Sequence, residues 1–218
     1  MGTKERRREQ FVNPELSCFV HVRMSRSLIE CAESSVKLCF SGRRGTEENW
    51  ISSHTLAVVL LTAAAFEAWV NESLFSSTSL GEKFRRDFKR IASMETVEQR
   101  YRGLVKIASG REPDASALGL LMLLRNEIAH YLPRPVKNGV PEWLSELDNQ
   151  DLFLRLAESP ADDLVYGQKL ESFKLARWAT ETAAHAADAL AAALNANPRG
   201  IRIAYADEFH RLSDAART

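Results

Sequence analysis

The sequence predicts an all-α protein, and three observations carry that prediction. The segment from Trp50 to about Ser76, with the core LAVVLLTAAAFEAWVNESLF, is apolar nearly all round, as in a central helix buried on most of its faces. Elsewhere the apolar residues recur at roughly helical spacing. The breaks fall at polar and proline- or glycine-bearing stretches: SGRRGTEEN (41–49), GREPD (110–114), LPRP (132–135) and NPRG (197–200). Together they describe a bundle of four to five main helices with short extra ones.

Taken in order, residues 1–12 read as a flexible basic tail, and a helical domain spans 13–197. Asn13-Pro14-Glu15 supplies a cap, a proline at the first helical position and an acid in the first turn. The first helix then runs to about Phe40, with Leu16, Phe19, Val20, Leu28, Cys31, Val36 and Leu38 as its stripe. The apolar helix follows, then two shorter ones over Gly81–Ile91 and Met94–Ser109. Pro113 and Asp114 open a fifth helix that ends near Tyr131, ahead of a proline-bearing stretch. Between Pro133 and Gln168 two short helical pieces are expected near Trp143 and Leu152. A long alanine-rich helix, Lys169 to Asn195, packs closely within the bundle or against a second protomer. The tail over 198–218 can be a docking strand or a helix.

Composition narrows the function. The 218 residues suit one domain with a sizeable core. With 29 Lys+Arg and 29 Asp+Glu the formal net charge is zero, so bulk electrostatic coating of nucleic acid is excluded and any RNA contact needs a local patch. Such a patch lies between Lys83 and Arg111, where nine basic residues meet three acids. Within it Arg85, Arg86, Lys89, Arg90 and Arg102 are the candidate RNA contacts, with Phe84, Phe88 and Tyr101 interleaved. The competing reading makes the aromatics core contacts and the cations a solvated helix face. An acidic stretch, Glu142 to Glu171, balances it with eight acids against Arg155 and Lys169. The three cysteines, Cys18, Cys31 and Cys39, are odd in number and form no Cys-x-x-Cys, which favours a reducing cytoplasm over a disulfide framework. No signal peptide is expected, and the Leu56–Val70 run, interrupted by Thr62 and Glu67, reads as core rather than membrane. No metal-ligand cluster, glycine-rich phosphate loop or nucleophile elbow is present, so no cofactor is implied.

The chemistry concentrates in LMLLRNEIAHY, residues 121–131. Asn126 and His130 stand one turn apart, about 40° around the axis, with Arg125 about 100° to their side. Leu121, Leu124 and Ile128 fall opposite and anchor the helix, so the polar edge is held rigidly. A guanidinium grips a phosphate through a bidentate fork and an imidazole passes protons near neutral pH, a pairing suited to phosphodiester chemistry. In the apolar helix Glu67 and Asn71 share one edge, and a carboxylate bracketed by Phe66, Ala68 and Trp69 needs a partner. We expect Glu67 or Asn71 to face Arg125 or His130.

Arg125-Asn126-x3-His130, with its apolar lead-in, resembles the Arg-x4-6-His signature of the HEPN superfamily. The phrase AFEAWVNE (65–72) is similar to an aromatic-Glu-Ala-x-x-Asn-Glu stretch found on an early helix of that family. Only these two stretches carry the resemblance in identifiable residues. It implies a HEPN-like all-α bundle, commonly homodimeric, acting as a metal-independent endoribonuclease in toxin–antitoxin or antiviral defence. Arg125, Asn126 and His130 would be catalytic at a composite site between two copies, supported by Glu67, Asn71 and Tyr131. His130 would serve as base on the 2′-hydroxyl or as acid on the leaving 5′-oxygen, giving a 2′,3′-cyclic phosphate. An antitoxin or defence partner would be encoded separately. The alternative implied by the same family is a non-catalytic module that binds nucleotide or RNA, or that serves as a protein scaffold. In that case Arg125 would be buried within one protomer rather than opening with His130 onto a shared cleft.

Overall fold

The computed structural model describes residues 14–41, 54–77, 82–130, 142–153, 170–196 and 206–217. Among them the chain is all-α: α1 (Pro14–Ser41), α2 (Thr55–Ser77), α3 (Glu82–Ala92), α4 (Val97–Ser109), α5 (Ser116–Ala129), α6 (Glu142–Asn149), α7 (Phe173–Asn195) and α8 (Ala206–Ala215). The expected basic tail, the stretch at 131–141 and most of the acidic segment fall outside the described residues.

Helix α2 is the axis of the bundle, as its composition predicts. It touches α1, α3, α4, α5 and α7, and Val58, Val59, Ala63, Ala65, Phe66, Trp69, Val70 and Leu74 are all buried. Each large apolar side chain withdrawn from water contributes about 1.5–3 kcal/mol before entropy is set against it. Over Thr55–Ser76 this helix is long and apolar enough to cross a bilayer, so its length does not exclude a span. Two-thirds of that window, 67%, is instead buried inside the bundle.

Packing against α2 decides which face of α1 turns inward. Ser25, Ile29, Ala32, Val36 and Cys39 are buried at three- and four-residue spacing, while Cys31 and Leu38 from the expected stripe are exposed. Val36 of the expected stripe is buried and Leu28 packs partly against the core, while the side chains of Leu16, Phe19 and Val20 lie outside those described. The buried face uses small residues, Ser25 and Ala32, where two helices meet closely. Neither Cys31 nor Cys39 is in a disulfide, and the buried Cys39 thiol lies 3.7 Å from the Thr55 hydroxyl.

Helix α3 lays Phe84 and Ile91 inward and Arg85, Arg86, Lys89 and Arg90 outward. Helix α4 starts at Val97, three residues later than its apolar pattern suggests, because Thr96 caps it. The Thr96 hydroxyl accepts from the Gln99 N–H, and the Gln99 side chain accepts from the Thr96 N–H. Gly110 ends the helix at φ 77°, a left-handed position that glycine takes without a Cβ penalty, and its N–H returns to the Lys106 carbonyl.

Asp114 opens α5 by accepting from both the backbone N–H and the hydroxyl of Ser116, at 3.0 and 2.8 Å, which holds its carboxyl below the usual range. Leu118, Leu121 and Leu124 bury their side chains, and Ile128 packs partly against the same core. After α6 the chain turns through Asp151 at φ 56°. Leu152 and Phe153 are buried but not helical, so the second helical piece expected near Leu152 does not form over these residues.

The alanines of α7 serve the bundle itself: Ala176, Ala179, Ala183, Ala184 and Ala187 are buried where α7 meets α2, α4, α5 and α8. Helix α8, within the stretch for which strand and helix were both open, is integral to the core. Its Phe209 ring lies 5.8 Å from Phe66 and 5.7 Å from Trp69 of α2. The Asp188 and His210 side chains hold α7 to α8 at 2.6 Å, and Arg177 donates to the Ala216 carbonyl.

Candidate active site

The two sequence stretches singled out by their chemistry meet in space. Glu67 projects from α2 and accepts, through Oε2, a hydrogen bond from Nη2 of Arg125 on α5. Its other oxygen accepts from Nη2 of Arg100 on α4 at 3.2 Å. Glu67 is thus a carboxylate shared between two guanidiniums from two further helices. The side chains of Glu67, Arg100 and Arg125 keep 32%, 17% and 24% of their exposure, so the cluster lies at the rim of the core. At 4 Å and an effective dielectric near 20 each pair attracts by about 4 kcal/mol, most of it offset by desolvation.

The expectation that Glu67 or Asn71 would face Arg125 or His130 resolves to Glu67 with Arg125. Asn71, one turn along α2, is half-buried. Asn126 and His130 are exposed on the outer side of α5, and His130 occupies the C-cap, where its backbone N–H donates to the Asn126 carbonyl at 3.0 Å. The motif therefore divides: its guanidinium turns into the bundle edge, and its amide and imidazole face solvent. Tyr131 lies outside the described residues.

Arg100 is the participant that sequence reasoning missed, having counted it with the basic patch. A positional signal was available, because Arg100 stands three residues after Val97 and four before Leu104, both buried. Glu72 was missed too. It is buried on α2 and accepts from Ser25 of α1 twice, from the hydroxyl at 2.6 Å and from the backbone N–H at 3.2 Å. Burial pushes its carboxyl up, and the two Ser25 hydrogen bonds lower it only in part.

Several cations of the basic patch pair with nearby acids. Arg90 pairs with Asp87, Arg102 with Glu98 and Lys106 with Glu112. Arg85, Arg86 and Lys89 are exposed on α3. The interleaved aromatics are core: Phe84 and Tyr101 are buried, and Phe88 packs edge-on against Phe75 at 5.2 Å. They are not placed to stack on bases, so any contact with RNA here rests on the cations. Burial also pushes the Tyr101 phenol up to about 12, which keeps it protonated and removes it as a proton carrier at neutral pH.

Arg125 and His130 thus stand near one helix end but face different ways, and Glu67 fixes where the guanidinium sits. Comparison of the chain with known protein families, curated proteins and solved structures found no match.

Proposed function

We propose that this protein is a HEPN-type, metal-independent endoribonuclease acting as a homodimer on RNA in the cytoplasm, in a toxin–antitoxin or antiviral setting with its protein partner encoded separately. The observation that carries this reading is the Glu67–Arg125 ion pair, which joins the two stretches on which the family resemblance rests. Exposure of Asn126 and His130 at the adjoining helix end supports it.

In the proposed reaction two copies of α5 flank one phosphodiester. One His130 takes the proton of the RNA 2′-hydroxyl as the 2′-oxygen attacks phosphorus. The P–O5′ bond breaks, and the 5′-oxygen receives a proton from the partner copy of the same histidine. The products are a 2′,3′-cyclic phosphate and a 5′-hydroxyl, so protons and electron pairs balance. Arg125 stabilises the charge that gathers on the phosphoryl oxygens, and Asn126 orients the phosphate.

A second reading, a non-catalytic nucleotide-binding or scaffold module, is favoured by one specific feature: the Arg125 guanidinium is already bonded within its own protomer. The two readings separate on substrates. Incubated in EDTA with tRNA, mRNA and single-stranded DNA, the nuclease cleaves RNA alone and leaves cyclic phosphate ends. A scaffold leaves all three intact, and cleavage of DNA contradicts attack by an internal 2′-hydroxyl.

A further inference from the structure

Glu67 does not belong to Arg125 alone. Its two oxygens are divided between Arg125 and Arg100, and the three charges sum to one net positive. The Nε of each arginine is buried and donates to no acceptor among the described residues. A lone Glu67–Arg125 pair would be neutral, and an incoming phosphate would have to displace a carboxylate with no other partner. Arg100 gives that carboxylate somewhere to stay. It comes from α4, next to the fully buried Tyr101 on a capped helix, and of the two arginines it is the more shielded. Both guanidiniums are bonded to the carboxylate, and Arg125 is the more exposed of the two.

We propose that Arg100 is a positioning residue of the site: it holds Glu67 when an RNA phosphate takes Arg125, and so keeps the second guanidinium available to the anion. This rests on the reading that Arg125 binds RNA phosphate. Arg100 acts through Glu67 and touches no reacting atom.

The test measures binding apart from cleavage. A fluorescein-labelled 2′-O-methyl RNA oligonucleotide of mixed sequence, which lacks the attacking hydroxyl, is titrated with the full chain and followed by anisotropy. Arg125→Ala is expected to weaken binding about tenfold or more, and Arg100→Met about fivefold, because Glu67 then closes on Arg125. Adding Glu67→Gln to Arg100→Met is expected to restore affinity to within about twofold of wild type, since the competing carboxylate is gone. Should Arg100→Met fail to fold, Arg100→Gln keeps a polar group without the charge and carries the same expected loss of about fivefold, and wild-type affinity in it overturns the role of Arg100. Wild-type affinity in Arg100→Met alongside a weakened Arg125→Ala overturns the role of Arg100 and leaves the phosphate reading standing. A loss in Arg100→Met that Glu67→Gln does not restore also overturns it, because Arg100 then acts on RNA or on the fold directly. Unchanged binding in Arg125→Ala overturns both.

Discussion

Removing the Glu67 carboxylate takes from Arg100 and Arg125 the acceptor they share, at positions where their Nε groups already lack one. Glu67→Ala is therefore expected to cost about 1–3 kcal/mol, read as a fall in Tm of about 2–4 °C per kcal/mol for a chain of this size. Glu72 behaves differently, because burial holds its carboxyl above the ordinary 4.5. An acid raised in this way binds its proton more tightly in the folded chain than in the unfolded one. Its stabilising contribution is therefore full below pH 4.5 and is lost as pH rises through the raised folded value. Glu72→Gln keeps an acceptor for the Ser25 hydroxyl and carries no charge. Its Tm relative to wild type is expected to climb from acid to neutral pH, and a gap that stays constant with pH contradicts this account. The need of Glu67 for a partner was legible in the sequence, since its neighbours place a carboxylate against apolar surface. The identity of Arg100 was legible only in part: its spacing from Val97 and Leu104 turns it inward, but the register between α2 and α4 decides that it meets Glu67.

At the scale of the element, helix ends carry separable energies. Thr96→Ala removes one half of the capping box on α4 and is expected to cost about 1 kcal/mol, measured by chemical denaturation with an unchanged slope. The same helix carries Arg100, so a frayed α4 should also loosen the Glu67 cluster. Helix α2 was legible because a helix apolar on all sides has nowhere to go but the centre. The inward face of α1 was not, since Ser25 and Ala32 are chosen for close approach to α2 rather than for hydrophobicity. The start of α4 was missed for a local reason: Met94 continues the apolar spacing, but Thr96 with Gln99 ends the preceding turn.

At the scale of the molecule, α8 closes the bundle over α2. Phe209 is fully buried against Phe66 and Trp69, so Phe209→Ala is expected to cost about 3–5 kcal/mol, a loss visible as a large drop in Tm. Because α4 and α8 both pack on α7, and α4 also touches α2, loss of α8 is expected to reach the Glu67 cluster through the core. The all-α class was legible from the spacing of apolar residues and the placement of breaks. The membership of α8 in the core was not, because its ten residues are stabilised by packing against α7 and against α1 and α2, which are distant in sequence.

The most direct measurement compares RNA cleavage in EDTA by wild type, His130→Ala and Arg125→Ala on whichever RNA the wild type cuts fastest. His130 is exposed at a helix end, so its replacement leaves the fold intact, and Tm is read alongside as the control. The account predicts that each substitution lowers the rate by about a hundredfold or more, as expected for loss of a proton carrier or of the group stabilising phosphoryl charge. Cleavage at the wild-type rate by well-folded His130→Ala would contradict it.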